Sequence, residues 1–265
     1  MKIYISADIE GVTGITDWDE TEKGKSDYNE FREQMTAEVA GACEGALAAG
    51  AAEIWVRDAH GTARNLITSK LPREVRLIRG WSGHPFFMTQ ELDKTFDGVI
   101  MIGYHSRADL DANPLAHSMS RDITHIKVNE RYASEFLLHA YAAASVNVPV
   151  VLLSGDEHIC REAESVSPQI TTVPVMRGAG GSSISIHPKL AVENIRHGVE
   201  KAVKEKIGAC RISLPDHFSV EVRFQSHIKA FRASFFPGIR LRKAHTVQFE
   251  ADDYFEVMRA FLFIL

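Results

Sequence analysis

The sequence is poor in cysteine, in long apolar runs and in excess charge of either sign, and each shortage excludes a class of protein. Its three cysteines, Cys43, Cys160 and Cys210, form no C-x-x-C pair, which argues against a disulfide framework or a cysteine zinc site. The stretch MKIYISADIEG reaches charged residues too early for a signal peptide or a membrane span. A formal net charge of −5 provides no basic surface for nucleic acid or for an anionic membrane. We therefore expect a cytoplasmic protein without a nucleic-acid or membrane partner.

What the chain does contain is a regular alternation of short apolar runs with longer stretches of helical period. The runs typical of strands are KIYISAD, EIWVRDAH, VRLIRG, GVIMIGYH, PVVLLSGD and ITTVPVMR, and helices are predicted over residues 28–50, 131–147 and 187–209. This alternation favours an α/β fold with a largely parallel sheet flanked by helices in three layers. From residue 210 the order becomes strand, helix, strand, helix. We therefore predict a main domain over residues 1–209 and a smaller α+β unit over residues 210–265.

Two segments lack a clear period. The glycine-rich stretch RGAGGSSISIHP, residues 177–188, has neither the G-x-G-x-x-G nor the Walker phosphate-binding pattern, and we expect a mobile loop near the site or at a subunit contact. The basic cluster RLRKAH, residues 240–245, is expected to be a solvated turn.

The stretch ISADIEG places two carboxylates directly after the first predicted strand. Because alternate residues of an extended chain point the same way, Asp8 and Glu10 would emerge side by side. Two like charges that close repel, so a cation should lie between them or one of them should hold a proton. This pattern favours metal binding over a role in bracing a loop, and Gly11 would let the chain turn away beside the metal.

Histidines follow two other predicted strands: His60 in DAHG and His105 in GYHS. The carboxyl ends of parallel strands share one edge of a sheet, so these histidines should meet Asp8 and Glu10 there. Carboxylates combined with imidazoles suit zinc, manganese or iron better than calcium or magnesium, and they exceed the three protein ligands of one catalytic zinc. A pair of ions bridged by one carboxylate would use them all. Asp58 is expected to orient His60 through its second ring nitrogen.

A loop over residues 106–120 leaves directly from His105 and carries His117. Such a loop can fold back over the same crevice, where a histidine could transfer protons near neutral pH. The alternative for His117 is an ordinary surface histidine.

The motifs SADIEG, DAHG, GYHS and HSM, in this order, give the chain a resemblance to the zinc-dependent D-aminopeptidase family, and the resemblance extends to TVQFEADDYFEVMRA near the end. It implies that His117 is the catalytic histidine and that the chain binds two zinc ions. Asp8 is nearest the strand end, so we expect it to be the carboxylate that bridges them. The implied zinc ligands are Asp8, Glu10, His60, His105 and Glu135. Glu130, at the end of HIKVNE, is a rival to Glu135. The resemblance also implies hydrolysis of short peptides with an N-terminal D-amino acid and a ring-shaped homo-oligomer such as a decamer.

Two other functions fit part of the sequence. DIEGVTG resembles the D-x-D-G-T opening of haloacid-dehalogenase-like, magnesium-dependent phosphatases, but Glu10 replaces the second Asp, and His60 and His105 would have no role. A binding protein with a structural metal is the third possibility. A carboxylate-rich site at a strand-end crevice is more typical of a site that a substrate enters.

Overall fold

The structure, a computed structural model, describes residues 1–265 and contains a seven-stranded and a five-stranded β-sheet with helices around them. The strands are β1 (Lys2–Ala7), β2 (Glu53–Asp58), β3 (Val75–Ile78), β4 (Gly98–Tyr104), β5 (Ile123–Val128), β6 (Arg131–Tyr132), β7 (Val150–Asp156), β8 (Thr171–Ala179), β9 (Ser182–Ser185), β10 (Phe218–Phe224), β11 (Arg240–Lys243) and β12 (Thr246–Ala251). The helices are α1 (Tyr28–Ala48), α2 (Glu135–Ser145), α3 (Glu157–Val166), α4 (Pro188–Glu205), α5 (His227–Ala233) and α6 (Tyr254–Ile264), with short 3-10 turns at Trp18–Glu20, Thr68–Lys70, Phe87–Thr89 and Ile207–Ala209.

The larger sheet has the strand order β3-β2-β1-β4-β7-β8-β9, and every neighbouring pair is parallel except β8 and β9. Helices α1 and α4 pack together on one face, and α2 and α3 lie on the other. Because both faces are covered, β4 and β7 are buried along their whole length, which explains their unbroken apolar runs. The predicted α/β fold with a largely parallel sheet is confirmed. None of the helices is both long and apolar enough to cross a bilayer.

The smaller sheet has the order β11-β12-β10-β5-β6, and its strands pair antiparallel. Buried and polar residues alternate along β10, where Phe218, Val220, Val222 and Phe224 lie in the same core cluster that covers one face of the larger sheet. Strand β10 pairs with β5, so the C-terminal unit is completed by residues 123–132 from the middle of the chain. A single boundary at residue 209 therefore does not separate the two units, because residues 123–132 belong to the smaller one.

Two local predictions are wrong. Residues 177–185 are not a mobile loop, because they form the β8–β9 hairpin around a turn at Gly180. The segment RLRKAH is not a turn throughout, since Arg240–Lys243 is the edge strand β11. Both β9 and β11 are largely exposed edge strands, so they lack the alternation of apolar and polar residues by which a strand is recognised in a sequence.

Candidate metal centre

Three neighbouring strands of the larger sheet, β2, β1 and β4, end at the same edge and bring their following residues together. Asp8 follows β1 directly, and its main-chain N–H donates to the carbonyl of Ile102 in β4 at 2.9 Å. His105 follows β4, and His60 lies two residues beyond β2. The convergence at one sheet edge therefore comes from adjacent parallel strands, as the strand ends predicted.

The carboxylates of Asp8 and Glu10 are each only 2% exposed, and both face His60. His60 Nδ1 lies 2.9 Å from Glu10 Oε2 and 3.4 Å from Asp8 Oδ1. On the other ring nitrogen, Nε2–H donates to the main-chain carbonyl of Thr21 at 3.0 Å. This bond keeps a proton on Nε2, so Nδ1 is the ring atom that faces the carboxylates.

His105 approaches the second oxygen of Asp8 from the opposite side. Its Nε2 lies 3.5 Å from Asp8 Oδ2 and 3.7 Å from Glu135 Oε2, while its Nδ1–H donates to the carbonyl of Ser106 at 2.9 Å. Glu135 is the first residue of α2, which Ser134 caps by accepting from Leu137 N–H. Because α2 begins there, the Glu135 side chain reaches back to the sheet edge.

His117 completes the cluster from the loop after β4. Its Nε2 lies 3.6 Å from Glu135 Oε1 and 4.0 Å from Glu10 Oε1, and its Nδ1–H donates to the carbonyl of Leu115 at 2.9 Å. The ring stands edge-on to Trp18, with 5.3 Å between the ring centroids. All six side chains singled out in the sequence therefore meet, and His117 lies almost as close to the carboxylates as His105 does.

Burial and neighbouring charges distribute the protons of the three carboxyl groups unevenly. Burial, followed by the charge of Glu10, raises the pKa of Asp8 to about 8. Burial alone would also raise the pKa of Glu10 and Glu135, but His60 holds the pKa of Glu10 well below its usual value, and His105 lowers that of Glu135 to about 2. The protein alone thus keeps a proton on one carboxyl group and ionises the other two.

The pKa values of the three imidazoles are also shifted in different directions. Burial would lower the pKa of His60 and His105, but Glu10 raises that of His60 well above its usual value, and Glu135 raises that of His105 to about 10. Burial, followed by the charge of His105, lowers the pKa of His117. Protons on His60 and His105 therefore balance the carboxylates, and metal ions bound there would replace those protons.

The donor atoms fit zinc. Glu10 Oε2 and His105 Nε2 are buried and have no hydrogen-bond partner, since the approach of His60 Nδ1 to Glu10 Oε2 lacks hydrogen-bond geometry. Unpaired buried donors and acceptors are rare in proteins unless something else binds them. One ligand atom from each of Asp8, Glu10 and His105 lies within 4.8 Å of the others. The same holds for His105, His117 and Glu135. Mixed imidazole and carboxylate donors suit zinc.

The predicted role of Asp58 is wrong. Its carboxylate does not bond to His60 but accepts from Asn65 N–H, Asn65 Nδ2 and Leu66 N–H, at 2.5–2.8 Å. Asn65 Nδ2 also donates to the His60 carbonyl. Asp58 therefore braces the loop that carries His60, while the ring itself is oriented by Thr21.

Sequence reasoning missed Asp156 at the end of β7. This fully buried carboxylate accepts from Ser106 N–H and Oγ–H, each at 2.6 Å, from Asn113 Nδ2 at 3.2 Å and from the first turn of α3. Asn113 Nδ2 also donates to the Glu10 carbonyl at 3.0 Å. Asp156 thus links the segments that carry His105 and Glu10. The signal was its place at the end of a predicted strand, in SGDE.

The side chains of Asp8, Glu10, His60, His117 and Glu135 line a cavity of about 700 Å³ that opens to solvent. Its apolar walls include Trp18, Trp81, Phe87, Met88 and Met119. A cavity of this size accommodates a small organic substrate. Glu130 lies elsewhere, exposed in the turn between β5 and β6, so it takes no part in this cavity.

Comparisons with known proteins agree with this arrangement. The sequence profile of the D-aminopeptidase family, peptidase M55, matches residues 1–263. A D-aminopeptidase of Bacillus subtilis (strain 168) is 33% identical over 264 residues, which cover 99% of this chain and 96% of that protein. The solved structure of the zinc-dependent D-aminopeptidase DppA from Bacillus subtilis, described as a self-compartmentalizing protease, superposes with a TM-score of 0.94 at 32% identity, over 100% of this chain and 96% of that one.

Proposed function

Because the chain belongs to the D-aminopeptidase family of hydrolases, we propose that it is a zinc-dependent aminopeptidase that releases N-terminal D-residues from short peptides. The observation that carries the proposal is the pair of buried, unpaired ligand atoms, Glu10 Oε2 and His105 Nε2, beside an open cavity. The phosphatase alternative is not supported, because its chemistry has no use for His60 and His105 in this cluster.

The contacts support two metal ions rather than one. Asp8 Oδ1 faces His60, which also approaches Glu10, whereas Asp8 Oδ2 faces His105, which also approaches Glu135. Each oxygen of Asp8 therefore belongs to a separate set of one imidazole and one further carboxylate. A carboxylate with this arrangement suits a bridge between two zinc ions. We propose Asp8, Glu10, His60, His105 and Glu135 as the ligands.

His117 is proposed as the catalytic histidine. Zinc in such a site lowers the pKa of a bound water towards neutrality and polarises the carbonyl under attack. The protein's own part is to place His117 Nε2 between Glu10 and Glu135 at the cavity wall. Because the Leu115 carbonyl holds the proton on Nδ1, Nε2 can accept a proton and later donate it to the leaving amine. Trp18 restricts the ring to this orientation.

The substrate is proposed to be a short peptide that lies along the cavity. The free amine would face the inner carboxylates, and the aromatic walls formed by Trp18, Trp81 and Phe87 would contact the side chains. The preference for an N-terminal D-residue rests on membership of the family and on the relative from Bacillus subtilis.

An apolar surface on the smaller unit supports self-association. Ile228, Phe231, Phe235 and Phe263 are 56–72% exposed on helices α5 and α6 and on the turn after α5. Exposed apolar clusters of this kind are typical of subunit interfaces. We propose that this surface joins copies of the chain into a ring-shaped homo-oligomer, with a decamer as the expected size, in line with the self-compartmentalizing relative.

Light scattering tests this assembly. Phe235→Ser should yield smaller species than the wild type, whereas Leu190→Ser, which changes an exposed residue of α4, should not.

The function is tested by metal analysis of the purified protein, followed by hydrolysis assays on matched D- and L-peptides. We expect about two zinc ions per chain, release of an N-terminal D-residue, loss of activity on chelation and recovery on addition of zinc. Magnesium-dependent release of phosphate from an aryl phosphate, without peptide hydrolysis, would overturn the proposal. Bound metal without any turnover would instead indicate a binding protein.

A further inference from the structure

The cavity carries charges of opposite sign in its inner and outer parts. Buried carboxylates, those of Asp8, Glu10 and Glu135, line the inner part. Lys23, Arg121 and Glu22 also line the cavity but are exposed to solvent, so the outer part has two cations against one carboxylate. A short peptide carries its own opposite charges at its two ends, so the outer cations are placed for the end that is not cleaved.

Arg121 lies on the same wall as His117. Its guanidinium carbon is 4.8 Å from the centre of the Trp18 ring, and the His117 ring centroid lies 5.3 Å from that of Trp18. The guanidinium carbon of Arg121 therefore lies at most about 10 Å from the centre of the His117 ring. A cation–π contact with the indole favours this position of the guanidinium at the cavity wall.

The positive charge of Arg121 is available to a ligand. Its guanidinium makes no hydrogen bond within the protein, and the nearest carboxylate, Glu22, approaches Nη1 only to 3.8 Å with both side chains about half exposed. The neighbouring Asp122 pairs with Lys229 instead. Meanwhile the main chain is fixed, because the Arg121 carbonyl accepts from Gln225 Nε2 at 2.7 Å. A fixed backbone with a loosely paired side chain suits recognition of an external anion.

The geometry points to Arg121 as the residue that binds the free C-terminal carboxylate of the peptide, a specificity role that rests on the aminopeptidase function proposed above. Guanidinium and carboxylate form paired, charge-assisted hydrogen bonds. An extended chain advances about 3.3–3.6 Å per residue. With the scissile carbonyl beside His117, a separation of at most about 10 Å leaves room for one or two residues beyond the cleaved bond. The enzyme therefore selects dipeptides and tripeptides by their charged end.

The test compares two substrates that differ only at the C-terminus: Xaa-Gly-Gly as the free acid and as its amide, where Xaa is the N-terminal residue that the wild type releases fastest. We expect the wild type to favour the acid in kcat/KM by about 10- to 100-fold, mainly through KM, as charged hydrogen bonds allow. Arg121→Gln should bring the ratio of acid to amide close to one, and Arg121→Lys should restore part of it. Glu22→Gln should increase the ratio, because the competing carboxylate is removed.

Arg73→Gln, a change of the same chemistry at an exposed arginine outside the cavity, should keep the wild-type ratio. Circular dichroism and the melting temperature of each variant show whether it is folded. A wild type that treats the acid and the amide alike, or an Arg121→Gln variant that keeps the wild-type ratio, would overturn the role of Arg121 while leaving the peptidase function intact. A wild type that releases no N-terminal residue from either peptide, whatever residue stands at Xaa, would overturn both.

Discussion

The imidazole rings of His105 and His117 stack face to face, with centroids 4.4 Å apart and 9° between their planes. Each donates Nδ1–H to a main-chain carbonyl, so both Nε2 atoms point into the same group of carboxylates. Their neighbours differ: His105 Nε2 approaches Asp8 and Glu135, whereas His117 Nε2 approaches Glu10 and Glu135. Of these two rings, only that of His105 approaches Asp8, the carboxylate proposed as the bridge. This difference is the physical reason for giving the two histidines different roles.

His117→Ala should keep the zinc content of the wild type and lower kcat by about 10²–10⁴-fold, the range that a general acid or base contributes. Zinc per chain and steady-state kinetics on one peptide check this. His197→Ala, at an exposed histidine of α4, is the matched control and should change neither quantity. A parallel fall in zinc and activity in His117→Ala would show instead that His117 is a ligand.

Glu135→Gln should weaken zinc binding more than 10-fold, since even the groups that orient metal ligands contribute about 10- to 100-fold. Glu135 is 5% exposed, and its Oε2 lies 3.7 Å from His105 Nε2. The control is Glu130→Gln, which changes the exposed rival in the turn before β6 and should bind zinc as the wild type does. Competition with a metal indicator measures both affinities. Weaker binding in Glu130→Gln alone would reverse the two assignments.

The convergence of the residues proposed as metal ligands is predictable from the sequence because it depends on a rule of parallel sheets. Apolar runs mark β1, β2 and β4, and residues that follow neighbouring parallel strands meet at one edge. Asp8, Glu10, His60 and His105 can therefore be grouped from the sequence alone. The choice of Glu135 over Glu130 relies on the family, because a sequence does not fix the residue at which a capped helix begins.

Other parts of the site depend on contacts between segments with no shared pattern. His60 Nε2 bonds to the carbonyl of Thr21, 39 residues away, and nothing about a threonine marks its carbonyl as a partner. Proximity in the sequence favours Asp58 instead, and that prediction is wrong. Likewise, Arg121 and His117 are brought to the same cavity wall by their separate contacts with Trp18. Tertiary packing alone creates these relationships.

Gly11→Ala should destabilise the fold and weaken zinc binding. The Gly11 N–H donates to the Gly103 carbonyl at 2.8 Å, and a Cβ atom at this position would lie 1.9 Å from the main-chain oxygen of Tyr104. Overpacking of this kind costs about 1–3 kcal/mol or more, because β1 and β4 must separate where Asp8 and His105 follow them. Denaturant unfolding and zinc titration measure the two effects.

Gly181→Ala is the control for this substitution, since a Cβ atom there meets nothing within 4 Å. We expect its free energy of unfolding to change by less than about 0.5 kcal/mol. If Gly11→Ala were as stable as Gly181→Ala, the close approach of β1 and β4 at Gly11 would not be a constraint on this fold.

Glu38→Gln should make the protein more stable than the wild type at neutral pH, with an advantage that depends on pH. Glu38 is fully buried in α1, where Oε1 accepts from Thr13 and Gln34 while Oε2 has no hydrogen-bond partner. Burial is the main cause that raises the pKa of this carboxyl group. As the pH rises past the usual pKa of a glutamate, the carboxyl group of Glu38 loses its proton in the unfolded chain before it does so in the folded protein. The wild type therefore loses stability until the pH passes the raised, folded-state pKa. Glutamine keeps the acceptor and cannot ionise, so it avoids this loss.

We therefore compare the free energy of unfolding of Glu38→Gln with that of the wild type. The difference should be small near the usual pKa of a glutamate, about 4.3, and should grow in favour of glutamine as the pH rises. Above the folded-state pKa of Glu38 it should become constant. Urea unfolding at a series of pH values measures it. Glu44→Gln, exposed on the same helix, should show a much smaller dependence on pH. A difference that stays constant with pH, or that turns in favour of the glutamate at neutral pH, would mean that Glu38 is ionised in the folded protein at no cost, because a bound cation or water then satisfies Oε2.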